Sequence, residues 1–69
     1  MPPHPILTGK QLVRILERHG FEQVRHRGSH MSFRHPDGRT TTVPMHREVP
    51  RGTLRSIMRQ ANLTVDDLG

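Results

Sequence analysis

A tight turn at residues 35–38 constrains this chain more than any other stretch. His35-Pro36-Asp37-Gly38 places proline second and glycine fourth, the arrangement a β-turn favours. Before it, His30-Met31-Ser32-Phe33-Arg34 alternates polar and apolar residues with the period of a strand. After it, Arg39 to Val43 is rich in β-branched residues. Thr41 and Val43 share one face there, and Thr40 and Thr42 the other. Two such strands about one short turn form an antiparallel hairpin. Met31 and Phe33 are expected to face the core. His30, Ser32 and Arg34 are expected to face outward.

The flanks of the hairpin read as helices. Thr8 is a good N-cap, and Gln11 three residues later completes a capping box. Leu7 and Leu12 have the spacing of a hydrophobic staple. Leu12, Ile15 and Leu16 form an apolar stripe that Val13 widens, and Gly20 suits the left-handed residue that ends the helix. Lys10, Arg14, Glu17 and Arg18 occupy its polar face. Phe21 to Arg27 reads as a first strand, although Phe21 and Val24 lie an odd number of residues apart. A bend or bulge near Glu22 would reconcile them. Gly28 and Ser29 connect this strand to the next. Pro44 ends the third strand, and a loop leads into a second helix beginning near Arg51 to Thr53. Leu54, Ile57, Met58 and Ala61 give that helix the clearest amphipathic pattern in the chain. Arg51, Arg55 and Arg59 fall four apart on another face as a basic ridge. Asn62 can close the helix, and Thr64-Val65-Asp66-Asp67 reads as a capped short turn.

The predicted order is helix, three strands, helix. An α+β sandwich buries these stripes most simply, with a three-stranded antiparallel sheet carrying two helices on one face. That αβββα arrangement resembles the double-stranded RNA-binding domain. At 69 residues there is room for one small domain, expected over residues 6–69 behind a flexible arm at residues 1–5. No apolar run is long enough to span a membrane, so the expected compartment is the cytoplasm.

Net charge is +5, and arginine outnumbers lysine ten to one. That balance points to a polyanion or an acidic protein partner, nucleic acid first, since the planar guanidinium suits bidentate phosphate contacts. The candidate phosphate-binding side chains are Lys10, Arg14, Arg27, Arg34, Arg51, Arg55 and Arg59. His30 stands beside Gly28 and Ser29, opposite an apolar alternation and among arginines. Imidazole is the side chain suited to proton transfer near neutrality, so His30 is the candidate for chemistry on a phosphate ester. Ser29 and His46 are auxiliary candidates. A structural or incidental histidine is the plainer reading of each. The chain has no cysteine, and its six histidines show no metal-binding spacing, so neither a metal nor another cofactor is expected. There is no glycine-rich phosphate loop, and the scarcity of aromatics argues against the usual base-stacking single-strand platform.

Several stretches taken together resemble the HicA, or YcfA-like, family of bacterial mRNA interferase toxins. They are Gly9-Lys10-Gln11-Leu12 with Leu16, Gly20-Phe21, Gly28-Ser29-His30, Pro36-Asp37-Gly38, Val43-Pro44-Met45-His46, and Gly52-Thr53-Leu54-Arg55-Ser56-Ile57. The resemblance covers residues 7 to 63. It implies a double-stranded RNA-binding-like fold, cleavage of mRNA without a metal, and neutralisation by a HicB-type antitoxin. It also implies that His30, the histidine of Gly-Ser-His, is the catalytic residue, acting as general acid or base. Pro44-Met45-His46 corresponds to the family's Pro-x-His. Two rival readings stand beside it. One is a non-catalytic RNA-binding module of the same fold. The other is a small DNA-binding regulator using its second helix, although the element order supplies no helix-turn-helix pair.

Overall fold

The computed structural model describes residues 6–68, so the arm expected over residues 1–5 lies outside the described residues. The first helix, α1 (Gly9–Arg18), begins as its sequence demands. The Gln11 amide donates to Thr8 Oγ1 at 3.1 Å, and the Thr8 amide donates to Gln11 Oε1 at 2.8 Å. This reciprocal box satisfies two amides that no helical carbonyl can reach. Leu7 and Leu12 on either side of the cap are both buried. Gly20, at φ +91°, turns the chain out of the helix in the left-handed region open to glycine.

Three strands follow: β1 (Glu22–Arg27), β2 (His30–Arg34) and β3 (Thr40–Pro44). They form one antiparallel sheet in the order β1-β2-β3. Phe33, Thr41 and Val43 turn to one face and are buried there. The second helix, α2 (Arg51–Ala61), packs Leu54, Ile57, Met58 and Ala61 into the same core as Leu12, Ile15 and Leu16 of α1. Both helices therefore cover one side of the sheet, and the chain has the α+β, double-stranded RNA-binding-like fold. Asn62 closes α2 in the left-handed conformation, φ 57° and ψ 45°.

The expected bulge near the start of β1 is present. It lies between Gln23 and Arg25, and Val24 is the extra residue. Val24 is 59% exposed, and every other residue of β1 is exposed as well. The helices pack chiefly over β3, and β1 overhangs the core. No burial constraint acts on its side chains. That is why its polar sequence carries no clean alternation.

The turn at residues 35–38 has a structural purpose beyond reversing the chain. Asp37 accepts the Arg39 amide at 3.0 Å and Arg39 Nε at 2.8 Å. The backbone amide of Arg39, helped by its guanidinium, holds the Asp37 carboxyl below its usual range. The same guanidinium lies 5.1 Å from the centre of the Phe21 ring and donates to the Ala61 carbonyl at the end of α2. Arg39 thus ties the hairpin to both helix ends.

A short 3-10 turn, Val65–Leu68, completes the described chain and buries Leu68. Asp67 Oδ2 accepts the Thr64 amide at 2.7 Å and the Thr64 hydroxyl at 3.1 Å. The Thr64 amide first, then its hydroxyl, pull the Asp67 carboxyl below its usual range, and His19 lies 3.6 Å away. A carboxyl depressed in the folded state stabilises it above the unfolded pKa of about 4 and loses that contribution as pH falls through the folded value. The Thr64 amide is therefore expected to lose hydrogen-exchange protection in acid, relative to the core of α2. Asp67→Ala should abolish that pH dependence. Identical acid profiles in wild type and variant would refute the cap. Among the described residues, no helix is long and apolar enough to cross a membrane.

Candidate functional site

The helix-free side of the sheet is set by the strand pairing. Gly28, at φ +55°, opens the two-residue turn between β1 and β2, and pairing runs outward from it. Arg27 stands opposite His30, and Arg25 opposite Ser32; past the bulge, Glu22 stands opposite Arg34. On the other side of β2, His30 pairs with Pro44, Ser32 with Thr42, and Arg34 with Thr40. Residues directly paired across strands project to the same face. Arg25, Arg27, Arg34 and His30 therefore share one open, polar face, with Glu22 as its only carboxylate among these paired positions. Ser32 and Thr42 share a hydrogen bond of 3.1 Å at its centre.

His30 and His46 come together at one end of this face. Their ring centres are 6.4 Å apart, with planes inclined at 65°. His46 lies on the loop after β3, and backbone contacts hold that loop from two sides. The Met45 amide donates to the Ser29 carbonyl, against the β1–β2 turn. The Gly9 amide donates to the His46 carbonyl at 3.0 Å, and the Val49 amide to the Leu7 carbonyl at 2.8 Å. The loop is thereby clamped between the β1–β2 turn and the start of α1. Both histidines are exposed, and among the described residues neither ring hydrogen-bonds another side chain. Ser29 supports the pair through its carbonyl.

The other candidates are spread more widely. Lys10 and Arg47 flank a shallow depression that His46 also lines. Arg27 is the immediate cross-strand neighbour of His30. Arg34 lies on the same face at the far end of β2, about 13 Å from His30 at the usual rise of a strand. Arg14 borders a different depression with Leu7, Glu17 and Leu68. Arg51, Arg55 and Arg59 are exposed on α2, within the helix layer and away from the open sheet face. Arg25 is a cation of the open face that the sequence reading passed over. Counting outward from the Gly28-Ser29 turn pairs Arg27 with His30 and Arg25 with Ser32, and that count would have found it. Among the described residues, no group of three His, Asp or Glu side chains could hold a metal ion.

A paired imidazole edge on a basic, helix-free sheet can bind an anion and move protons on it. Comparison with curated proteins found no match. A family model described as the HicA toxin of bacterial toxin-antitoxin matches residues 9–63, taking in every element from α1 to α2. That span contains the open sheet face, Gly28-Ser29-His30 and the loop that brings His46 beside it, and the chain belongs to the HicA family, the toxins of toxin–antitoxin systems.

Proposed function

We propose that this toxin is an endoribonuclease that cleaves mRNA in the cytoplasm without a metal, with His30 as the general base. The observation that carries the reading is the placement of His30. It is exposed on the open sheet face, with Arg27 directly across the strand pair. RNA brings its own nucleophile in the 2′-hydroxyl. His30 takes the 2′-proton, and the 2′-oxygen attacks the adjacent phosphorus. The bond to the 5′-oxygen breaks, leaving a 2′,3′-cyclic phosphate and a 5′-hydroxyl. Arg27 is positioned to stabilise charge that builds on the phosphate. Arg25 and Arg34, further along the same face, suit flanking phosphates. The helix-layer cations Arg14, Arg51, Arg55 and Arg59 add to the attraction of RNA at longer range. A HicB-type antitoxin neutralises the toxin by covering the His30 face, where an acidic surface would meet complementary charge.

The test is direct. Toxin freed of its antitoxin is incubated with end-labelled mRNA in excess EDTA. Cleavage is expected to proceed undiminished and to leave cyclic phosphate ends. Binding without cleavage would transfer the assignment to the non-catalytic RNA-binding module. Cleavage that stops in EDTA would overturn the metal-independent mechanism.

A further inference from the structure

We infer that His46 is the general acid of the reaction, delivering a proton to the departing 5′-oxygen while His30 removes the one on the 2′-oxygen. The inference rests on the ribonuclease reading above and supplies the half of the proton balance that reading leaves open. An in-line displacement at phosphorus has an attacking oxygen on one side and a leaving oxygen on the other. One base and one acid must therefore face each other across a single phosphate. Proton transfer needs a heavy-atom distance of about 2.6–3.2 Å on each side. Rings centred 6.4 Å apart are close enough for both to reach oxygens of a single phosphate lying across their exposed edges. Both rings are open to solvent, and neither is engaged by another side chain among the described residues.

His46 is also held as a working group must be. It does not ride on a free loop. Its carbonyl accepts the Gly9 amide, the preceding amide is fixed to Ser29, and Pro44 before it is buried. Lys10 from α1 and Arg47 from the same loop lie around it, and Arg27 is the cross-strand neighbour of His30 on the sheet. These cations suit a negatively charged substrate bound against the two rings. The full step balances. The 2′-oxygen bonds to phosphorus as its proton passes to neutral His30. The bond from phosphorus to the 5′-oxygen breaks with its electron pair, and that oxygen takes the proton of charged His46. Exchange with water then resets both rings.

The role of an acid can be separated from a structural one by changing the leaving group. Two substrates are compared, an oligoribonucleotide cut by the toxin and its analogue with sulfur in place of the scissile 5′-oxygen. A thiolate departs without being protonated. On the oxygen substrate, His46→Ala and His46→Gln are expected to lose about 10²-fold or more in rate, the usual worth of a general acid. On the sulfur substrate both should return to within a few-fold of wild type. His30→Ala should remain slow on both, because the 2′-oxygen still needs a base. Equal losses of the His46 variants on both substrates, or no loss on either, would overturn the role of His46 and leave the ribonuclease standing. Wild-type toxin that cuts neither substrate would overturn both readings.

Discussion

His30→Ala is expected to fold as wild type, to bind RNA with nearly unchanged affinity, and to lose cleavage by about 10²–10⁴-fold. Folding should survive because of the strand's alternation. Phe33 fills the buried face of β2 and Met31 packs against the core, whereas His30 is exposed on the opposite side. Truncating it leaves no core cavity, so the cost should stay within about 0.5 kcal/mol. Binding should survive because charge on the open face comes from Arg25, Arg27 and Arg34, which the change leaves in place. Cleavage should not survive, because the variant keeps no base opposite the acid. Thermal melts, RNA titrations across a salt series and product mapping would read the three outcomes separately. A folded variant that cuts RNA at the wild-type rate would remove His30 from the chemistry.

The parts of this fold that were legible in the sequence are those whose causes are local. The capping box at Thr8 and Gln11 depends on residues three apart. The turn at His35 to Gly38 depends on four consecutive residues, and the burial of Phe33, Thr41 and Val43 follows from period-two alternation against a core. β1 was less legible because the layer above it ends before reaching it. With both faces wet, its side chains record no inside or outside, and the extra residue at Val24 showed only as its odd spacing from Phe21. Arg39 shows the opposite failure. It reads as one more surface cation, yet it is committed to Asp37, Phe21 and the end of α2. The approach of His46 to His30 had no local cause either. Backbone hydrogen bonds among the segments at residues 7–9, 29 and 45–49 create it, and no periodicity announces such bonds.

Those bonds make Gly9→Ala the substitution expected to damage the framework of the site most. At an open helical position, alanine in place of glycine stabilises by up to about 1 kcal/mol. Position 9 reverses that sign. A Cβ there would lie 2.6 Å from the Pro44 carbonyl oxygen and 2.8 Å from Met45 Cα. Both are backbone atoms, so no side-chain rotation can relieve the contact. Either α1 must lift or the loop after β3 must retreat, and in each case the bond from the Gly9 amide to His46 stretches. Overpacking of this kind costs about 1–3 kcal/mol. A domain of this size holds only about 3–10 kcal/mol in all. A loss of about 2 kcal/mol would lower the melting temperature by about 8–16 °C. Gly52 supplies the control, since it lies near the start of α2 with nothing within 4 Å of its would-be Cβ. Gly52→Ala should be neutral or stabilising. In the variant at position 9, cleavage should fall by more than the unfolded fraction accounts for, because the surviving folded molecules hold His46 out of register with His30. A Gly9→Ala protein as stable and as active as wild type would mean that the start of α1 does not hold the His46 loop in place.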